Sequence, residues 1–295
     1  MMMRANSGLA DWGLRNQTLV TGAAAVLIVV AALIQRGTAM LGPLALALAV
    51  VFVWTAVFTR LRRRRMDGSG VISAAIIAML FAVLIPETVT PWQQALALSF
   101  GVVFGGLVFG GRGRGFLNPV VVALSFLAIS GIELTVMDPS AGALNAAEPG
   151  ALVPLAGLIA GAVLLATGLI SWRLIAGAWI VLLPSALLWP VPEGAPTGIS
   201  AALIIGLVFL IADPAASGCT QGGRWAHGLM AGALIILFNG ASPAAIGLSA
   251  VVSAAFLTSV FAPTFDHLAI TLNARRRAGR DGYGDRVGHA RRDRT

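Results

Sequence analysis

Hydrophobic positions occupy the chain in long runs that are almost free of charge, separated by short polar segments. Most of these runs approach the roughly 20 apolar residues that an α-helix needs to cross the hydrocarbon core of a bilayer. The pattern predicts about ten membrane-spanning helices, at residues 17–35, 38–59, 70–86, 90–109, 117–132, 151–170, 174–190, 197–212, 225–239 and 244–263.

Composition supports this interpretation, because 58% of the 295 residues are hydrophobic and only 11% are charged. A soluble domain carries about 25% charged residues. We therefore predict an all-α integral membrane protein. Residues 1–16 contain no apolar core, so they predict a cytoplasmic N-terminal segment rather than a cleaved signal.

Arginine positions predict the orientation, because Lys and Arg concentrate in cytoplasmic loops. If the N-terminus is cytoplasmic, the predicted outer loops hold only Arg36, and the other loop arginines fall on the inner side. We therefore place the chain in a bacterial inner membrane with both termini cytoplasmic. The net charge of +8 then reflects topology, and we expect no nucleic-acid partner.

The segment 273–295 contains eight of the arginines, mixed with Gly and Asp and without apolar periodicity. This composition predicts a disordered cytoplasmic tail that touches anionic lipid.

Two pairs of segments repeat in the same order along the chain. VISAAIIAMLFAVLIPE at 71–87 aligns with GISAALIIGLVFLIADP at 198–214, and NPVVVALS at 118–125 aligns with SPAAIGLS at 242–249. The matches predict two five-helix repeats, at 17–132 and 151–272, joined by an outer loop at 133–150. Because five is odd, the second repeat enters the membrane upside down relative to the first.

The first matched pair is too short for a full crossing, since about 15 residues rise only about 22 Å. Both members end at a proline next to an acid, Pro86 and Pro214. They therefore predict two short broken helices that end inside the bilayer, where irregular backbone is tolerated only against protein, water or a ligand.

The stretch FGGRGRGFLNP at 109–119 joins predicted helices four and five on the inner side. One interpretation is a glycine turn with two cytoplasmic arginines. The other is an anion site, in which Gly113 and Gly115 admit an anion to the backbone and Arg112 and Arg114 supply charge. The residues alone leave both open.

Several segments in matching order resemble a known family. They are DGSGVISAAIIAMLFAVLIP at 67–86, GGRGRGFLNP at 110–119, LISWRLIAGAW at 169–179, IADPAASG at 211–218 and FAPTFDH at 261–267. The set is similar to the family of the B subunit of the sodium-pumping NADH:quinone reductase (Nqr) and the D subunit of the Rnf complex.

This resemblance implies a ten-helix inverted-repeat fold like that of urea transporters. It also implies electron transfer through flavins coupled to Na⁺ or H⁺ movement. The partners it implies are the other membrane subunits of a redox complex, so we expect a subunit rather than a stand-alone catalyst.

The chain departs from the family at the covalent flavin motif. Relatives that carry covalent FMN have S-G-A-T in the outer loop, whereas the matching stretch here ends in Leu144, which has no hydroxyl. We therefore expect no covalent FMN at Leu144.

A noncovalent riboflavin or FMN remains the cofactor that the resemblance implies. The candidate residues lie in the FLNP turn and at the DP break: Gly113, Gly115, Phe116, Asn118, Pro119, Asp213, Pro214 and Ser217. Helix capping is the alternative role for Asn118 and Ser217.

No constellation of catalytic or metal-ligating residues emerges from the sequence. His227 and His267 are expected at helix ends as surface or capping residues, and Cys219 is the single cysteine. A redox-inactive permease or channel for a small solute or ion, built on the same scaffold, is the alternative function that Leu144 favours.

Overall fold

The computed structural model describes residues 14–63, 68–111, 115–132, 134, 151–188, 200–240 and 246–292. Within these ranges the regular structure is helical, and each predicted apolar segment overlaps a helix. The helices are α1 (Leu14–Arg36), α2 (Leu41–Leu61), α3 (Gly68–Leu84), α4 (Pro91–Val102), α5 (Pro119–Ile129), α6 (Leu152–Ala166), α7 (Trp172–Leu188), α8 (Ala201–Ile205), α9 (Gln221–Phe238) and α10 (Leu248–Arg292).

Among the described residues, two stretches are long and apolar enough to cross a membrane. They are Asn16–Leu61, which includes α1, a 3₁₀ turn and α2, and Leu248–Ala274 within α10. Helices α3, α5 and α6 are shorter and also apolar. For the part of the chain that the structure describes, the predicted all-helical fold is therefore confirmed, and its apolar spans are consistent with a membrane protein.

Helix α10 differs from the prediction at its C-terminal end. Its backbone stays helical as far as Arg292, although the sequence predicts disorder from 273 onward. After Pro263 no proline interrupts the segment, so a helix begun in the apolar part can propagate into the polar part.

Polar N-cap side chains begin α4, α5, α8 and α9. Thr90 forms a capping box with Gln93 before Pro91, the first residue of α4. Ser200 accepts a hydrogen bond from the Leu203 amide at the start of α8. These side chains occupy amides that have no partner within the helix.

Two π-helical turns interrupt the α-helical hydrogen-bond pattern. Val103–Leu107 follows α4, and Gly206–Ile211 extends α8. At each turn a carbonyl near the end accepts a hydrogen bond from a distant side chain: Arg62 Nη2 donates to the Leu107 carbonyl, and Asn118 Nδ2 donates to the Phe209 carbonyl at 3.0 Å. Long-range polar contacts therefore stabilise both irregular segments.

Glycines let α4 approach the start of α5 closely. A Cβ at Gly101 would lie 2.5 Å from the Pro119 carbonyl oxygen and from the Ala123 Cβ, and a Cβ at Gly105 would lie 2.7 Å from the Pro119 Cα. Small residues at four-residue spacing are typical of helix contacts inside membranes. This contact positions the Asn118–Pro119 turn.

Helix contacts connect the first five helices and the last five in a similar way. In the first group α1 and α2 pack on α3, α2 packs on α4, and α5 packs on α3 and α4. In the second group α6 packs on α8, α7 on α9, and α10 on α8 and α9. Helix α1 also contacts α6, and α5 contacts α10.

Long-range hydrogen bonds near the ends of the helices fall into two groups. The first group links Arg62 with Leu107, Asn118 with Asp213, and Cys219 with Asp266. The second group links Gln94 with Pro43, Val153 with Gln35, and Ser200 with Ile246. Members of the first group are predicted to be cytoplasmic and those of the second to be external.

Candidate functional site

Asn118 lies in the turn before α5 and is buried, with 5% of its surface exposed. Its Oδ1 accepts a hydrogen bond from the Val120 amide at 2.9 Å, so it is the N-cap of α5. The capping role that the sequence offered as an alternative is therefore present.

The Asn118 amide nitrogen reaches the second half of the chain. Its Nδ2 donates to the Phe209 carbonyl at 3.0 Å and to Asp213 Oδ2 at 2.9 Å. Asp213 follows the π-helical turn, and its Oδ1 accepts from the Ala215 amide at 3.1 Å. Two predicted site residues are thus brought together, and we call this contact the Asn118–Asp213 junction.

The other described residues of the FLNP turn have contacts of their own. Gly115 sits against the Gly105 carbonyl, where a Cβ would approach to 3.0 Å. The Phe116 ring is exposed and packs edge-on against Phe109, with ring centroids 5.4 Å apart. Pro119 packs on the glycines of α4. Gly113 lies outside the described residues, as do Arg112 and Arg114.

Pro214 and Ser217 line a cavity of about 100 Å³. Pockets for small molecules usually hold roughly 300 Å³ or more. This cavity is therefore too small for a flavin ring system. Among the predicted site residues, Phe116 has an exposed aromatic ring.

The hydrogen bonds of Asn118 define what its side chain can do. Its Oδ1 accepts a hydrogen bond from the Val120 amide, and its Nδ2 donates to the Phe209 carbonyl and to Asp213 Oδ2. An amide carries two N–H donors, so these contacts use the donor capacity of Nδ2. Asn118 consequently suits a positioning role more than direct contact with a ligand.

Asp266 is a site residue that sequence reasoning did not single out. Its Oδ2 accepts from the Cys219 amide at 2.7 Å, and its Oδ1 accepts from the Thr220 amide at 2.8 Å and from the Thr220 hydroxyl at 2.6 Å. Thr220 also caps α9 through the Gly223 amide. The sequence signal that could have identified it is an acidic residue between Phe265 and His267, directly after an apolar run.

His227 corrects a prediction made from sequence. It lies inside α9 with none of its surface exposed, whereas we expected a surface or capping histidine. Neither ring nitrogen has a hydrogen-bond partner among the described residues, although the Ile211 carbonyl is nearby. Close packing of α9 on α7 and α10 explains the burial. His267 is exposed, as predicted.

Comparisons with known proteins agree with the residue-level reasoning. The model of the NQR2, RnfD, RnfE family matches residues 13–274. The B subunit of the Na(+)-translocating NADH-quinone reductase from Pseudomonas aeruginosa (strain LESB58) is 28% identical over 78% of this chain and 66% of its own length.

Proteins of the same name from other bacteria give similar values. That of Stutzerimonas stutzeri (strain A1501) is 28% identical over 79% of this chain and 68% of its own length. That of Yersinia pestis is 28% identical over 79% and 67%. The chain thus matches about two thirds of the length of these relatives.

Proposed function

Because the chain belongs to the NQR2, RnfD, RnfE family, we propose that it is a membrane subunit of an Nqr-like or Rnf-like complex that couples electron transfer to Na⁺ or H⁺ movement. The family match over residues 13–274 supports this proposal. The partners would be the other membrane subunits of that complex.

The proposed scaffold is a pair of inverted five-helix repeats. The contacts support it, because the α1–α3, α2–α4, α4–α5 and α3–α5 pairs each have an equivalent pair five helices later. In addition, α1 contacts its own equivalent α6, and α5 contacts its equivalent α10. Contacts between equivalent elements are what a two-fold axis between the repeats produces.

The two groups of long-range hydrogen bonds support the proposed orientation. Each hydrogen bond in these groups links two segments that are predicted to lie on the same side of the membrane. If one helix between two bonded residues had been missed or added, those residues would have been predicted on opposite sides of the membrane. We therefore propose cytoplasmic termini in a bacterial inner membrane.

The observation that carries the functional proposal is the Asn118–Asp213 junction. It joins the two repeats where the π-helical turn exposes the Phe209 carbonyl. Helix α8 and this turn together span 11 residues, 201–211, which rise about 16 Å, so the segment is too short to cross a bilayer. Polar backbone at such a break usually lines a working site.

We propose that a noncovalent flavin, riboflavin or FMN, binds beside this junction. Phe116 would supply an apolar surface, and backbone groups of 115–117 would supply polar contacts to the flavin edge. When bound, the flavin would supply one-electron and two-electron redox chemistry. Asn118 and Asp213 would hold the two walls in place.

The test is flavin content of the full-length protein purified with its partner subunits. Acid extraction followed by chromatography and fluorescence measures flavin per chain. We expect Phe116→Ala to lose most of the noncovalent flavin and Phe238→Ala, which removes an exposed ring on α9, to retain it. Equal flavin content in both variants would exclude the Phe116 surface as the site.

Leu144 favours the second candidate, a permease or channel without redox function. A covalently attached flavin cannot form there without a hydroxyl. A colourless purified protein that carries Na⁺ or urea into liposomes would support this alternative and remove support for electron transfer. A flavinylated peptide covering 133–150 would contradict both the alternative and our expectation for Leu144.

A further inference from the structure

A second polar feature lies beside the junction and is not used by the proposed function. The cavity of about 100 Å³ lies between the turn that joins α6 to α7 and the loop that follows the π-helical turn. Its polar lining comes from Ser171, Ser217, Cys219 and Arg224, together with Gly168 and Gly218. A single water needs only roughly 10–15 Å³ of such space, so a small polyatomic group fits.

Ser171 indicates that the cavity is built for a polar ligand. Its hydroxyl oxygen is buried and has no hydrogen-bond partner among the described residues. Buried polar groups nearly always have a partner, so a hydroxyl without one calls for an explanation such as a bound water or ion. Ser171 is one of the residues that line the cavity, and rotation of its side chain would bring the hydroxyl to a ligand there.

Arg224 supplies positive charge to the same space. Its Nε donates to the Gly218 carbonyl at 3.2 Å, which holds the half-buried guanidinium at the cavity wall. A guanidinium matches the geometry of phosphate oxygens. The lining therefore combines a cation with hydroxyl donors, as an oxyanion requires.

Two carboxylates lie nearby, and neither lines the cavity. Asp266 interacts electrostatically with Arg224, but both of its oxygens accept hydrogen bonds from Cys219 and Thr220. Asp213 accepts hydrogen bonds from Asn118 and from the Ala215 amide. Their charges are therefore stabilised by other donors.

The surroundings of the cavity identify the source of the oxyanion. Trp172 follows Ser171 and Trp225 follows Arg224, and the two indole rings pack edge-on with centroids 5.7 Å apart. Trp172 is 56% exposed. Tryptophan is enriched at the depth of the lipid headgroups, so the cavity opens where phospholipid phosphates lie.

We propose that this cavity binds a phosphate group, in which Arg224 provides the charge and the Ser171 and Ser217 hydroxyls provide hydrogen bonds. The phosphodiester of an anionic phospholipid is the source that the tryptophan pair favours, and inorganic phosphate shares the same chemistry. The site is distinct from the Arg-rich segment after 273, and the inference does not depend on electron transfer.

The test uses the delipidated full-length protein and the single thiol of Cys219, which is exposed at the cavity. We expect phosphatidylglycerol to slow maleimide modification of Cys219, whereas diacylglycerol, which lacks the phosphate, leaves the rate unchanged. Protection by inorganic phosphate at millimolar concentration without protection by phosphatidylglycerol would show that the site takes the free ion. Protection by neither, or equal protection by diacylglycerol, would overturn the proposal.

Two variants separate the cavity from general surface charge. Arg224→Gln should weaken phosphatidylglycerol binding about tenfold or more, because a charge-assisted hydrogen bond is lost. Arg173→Gln is the matched control, since Arg173 stacks on Trp172 outside the cavity lining. Native mass spectrometry should show the retained lipid in the control and its loss in Arg224→Gln. Identical lipid retention in both would contradict the site.

Ser171→Ala is a second variant, which tests the site in case Arg224→Gln loses lipid only because it misfolds. The Ser171 hydroxyl has no hydrogen bond among the described residues, so its removal should leave the protein folded. We expect weaker phosphatidylglycerol binding with an unchanged gel-filtration profile. Unchanged lipid affinity of Ser171→Ala would exclude the hydroxyl as a donor and, with it, the proposed binding mode.

Discussion

Asn118 Nδ2 lies 2.9 Å from Asp213 Oδ2, although 95 residues separate the two side chains in sequence. The same nitrogen donates to the Phe209 carbonyl, and Oδ1 of the amide caps α5. One buried side chain therefore ties the start of α5 to the irregular end of α8. Any motion of these two elements relative to each other must break or stretch this contact.

Asn118→Asp should destabilise the protein more than Asn118→Ser. The aspartate keeps the capping oxygen but places a second carboxylate beside Asp213 and the Phe209 carbonyl, where the donor is lost. We expect a cost of about 3 kcal/mol or more, seen as a lower melting temperature in detergent by intrinsic tryptophan fluorescence.

The exchange Asn118→Asp with Asp213→Asn is the control for that prediction. It restores a donor and an acceptor across the junction and removes the repulsion between carboxylates. We expect the melting temperature to recover in part. If the double variant is no more stable than Asn118→Asp alone, the hydrogen bond between the two residues is not the stabilising contact.

Gly101→Ala should separate α4 from α5. The added methyl would lie 2.5 Å from the Pro119 carbonyl oxygen, which is backbone and cannot rotate away. Overpacking of this kind costs about 1–3 kcal/mol. Gly42→Ala is the matched control, because no atom lies within 4 Å of its added methyl. Equal melting temperatures of the two variants would contradict the close approach.

Asp266→Ala should loosen the loop that contains Cys219. The carboxylate accepts hydrogen bonds from the Cys219 amide, the Thr220 amide and the Thr220 hydroxyl. Their loss should raise the rate at which maleimide modifies Cys219 several-fold, because local opening becomes easier. His267→Ala, at the exposed neighbouring position, should leave the rate unchanged. An unchanged rate in Asp266→Ala would show that the loop is held by other contacts.

His227→Leu should leave stability unchanged or raise it by about 1 kcal/mol. Both imidazole nitrogens are buried without hydrogen-bond partners among the described residues, and an apolar replacement removes that penalty. Thermal unfolding in detergent measures the effect. A clear loss of stability would show that the imidazole binds a buried water or the nearby Ile211 carbonyl.

The proposed orientation predicts opposite accessibility of two exposed positions. Cys219 should react with a membrane-impermeant maleimide only after the cell membrane is opened. Glu87→Cys in a Cys219→Ser background should react in intact spheroplasts, since exposed Glu87 lines the same cavity as Pro43, which belongs to the other group of hydrogen bonds. The same accessibility at both positions would contradict the two-sided arrangement.

The positions of the helices were predictable from the sequence, but several of their contacts were not. The run at 70–86 corresponds to α3, and the run at 117–132 to α5, because charge-free length alone specifies a membrane helix. For the end of α10, composition predicted disorder after 273, whereas the backbone is helical as far as Arg292. The two π-helical turns could not be predicted from the sequence, because apart from the glycines within them nothing in their residues distinguishes them from α-helix.

The site was predictable in part. Asn118 and Asp213 were selected separately, one from a turn and one from a helix break, and their contact was not predicted. Asp266 and the burial of His227 were missed, because hydrogen bonds to a loop 46 residues away and burial between helices leave no local pattern. Gly113 and Leu144 lie outside the described residues, so their roles stay predictions.

By itself, the sequence determined that this chain forms apolar helices and belongs in a membrane, because hydropathy and helix length depend only on neighbouring residues. The sequence motifs also determined the family. Only the tertiary structure decided which polar groups meet, such as Asn118 with Asp213 and Asp266 with Thr220. The physical reason is that a buried polar group must find a partner within about 3 Å, and packing of distant helices selects that partner.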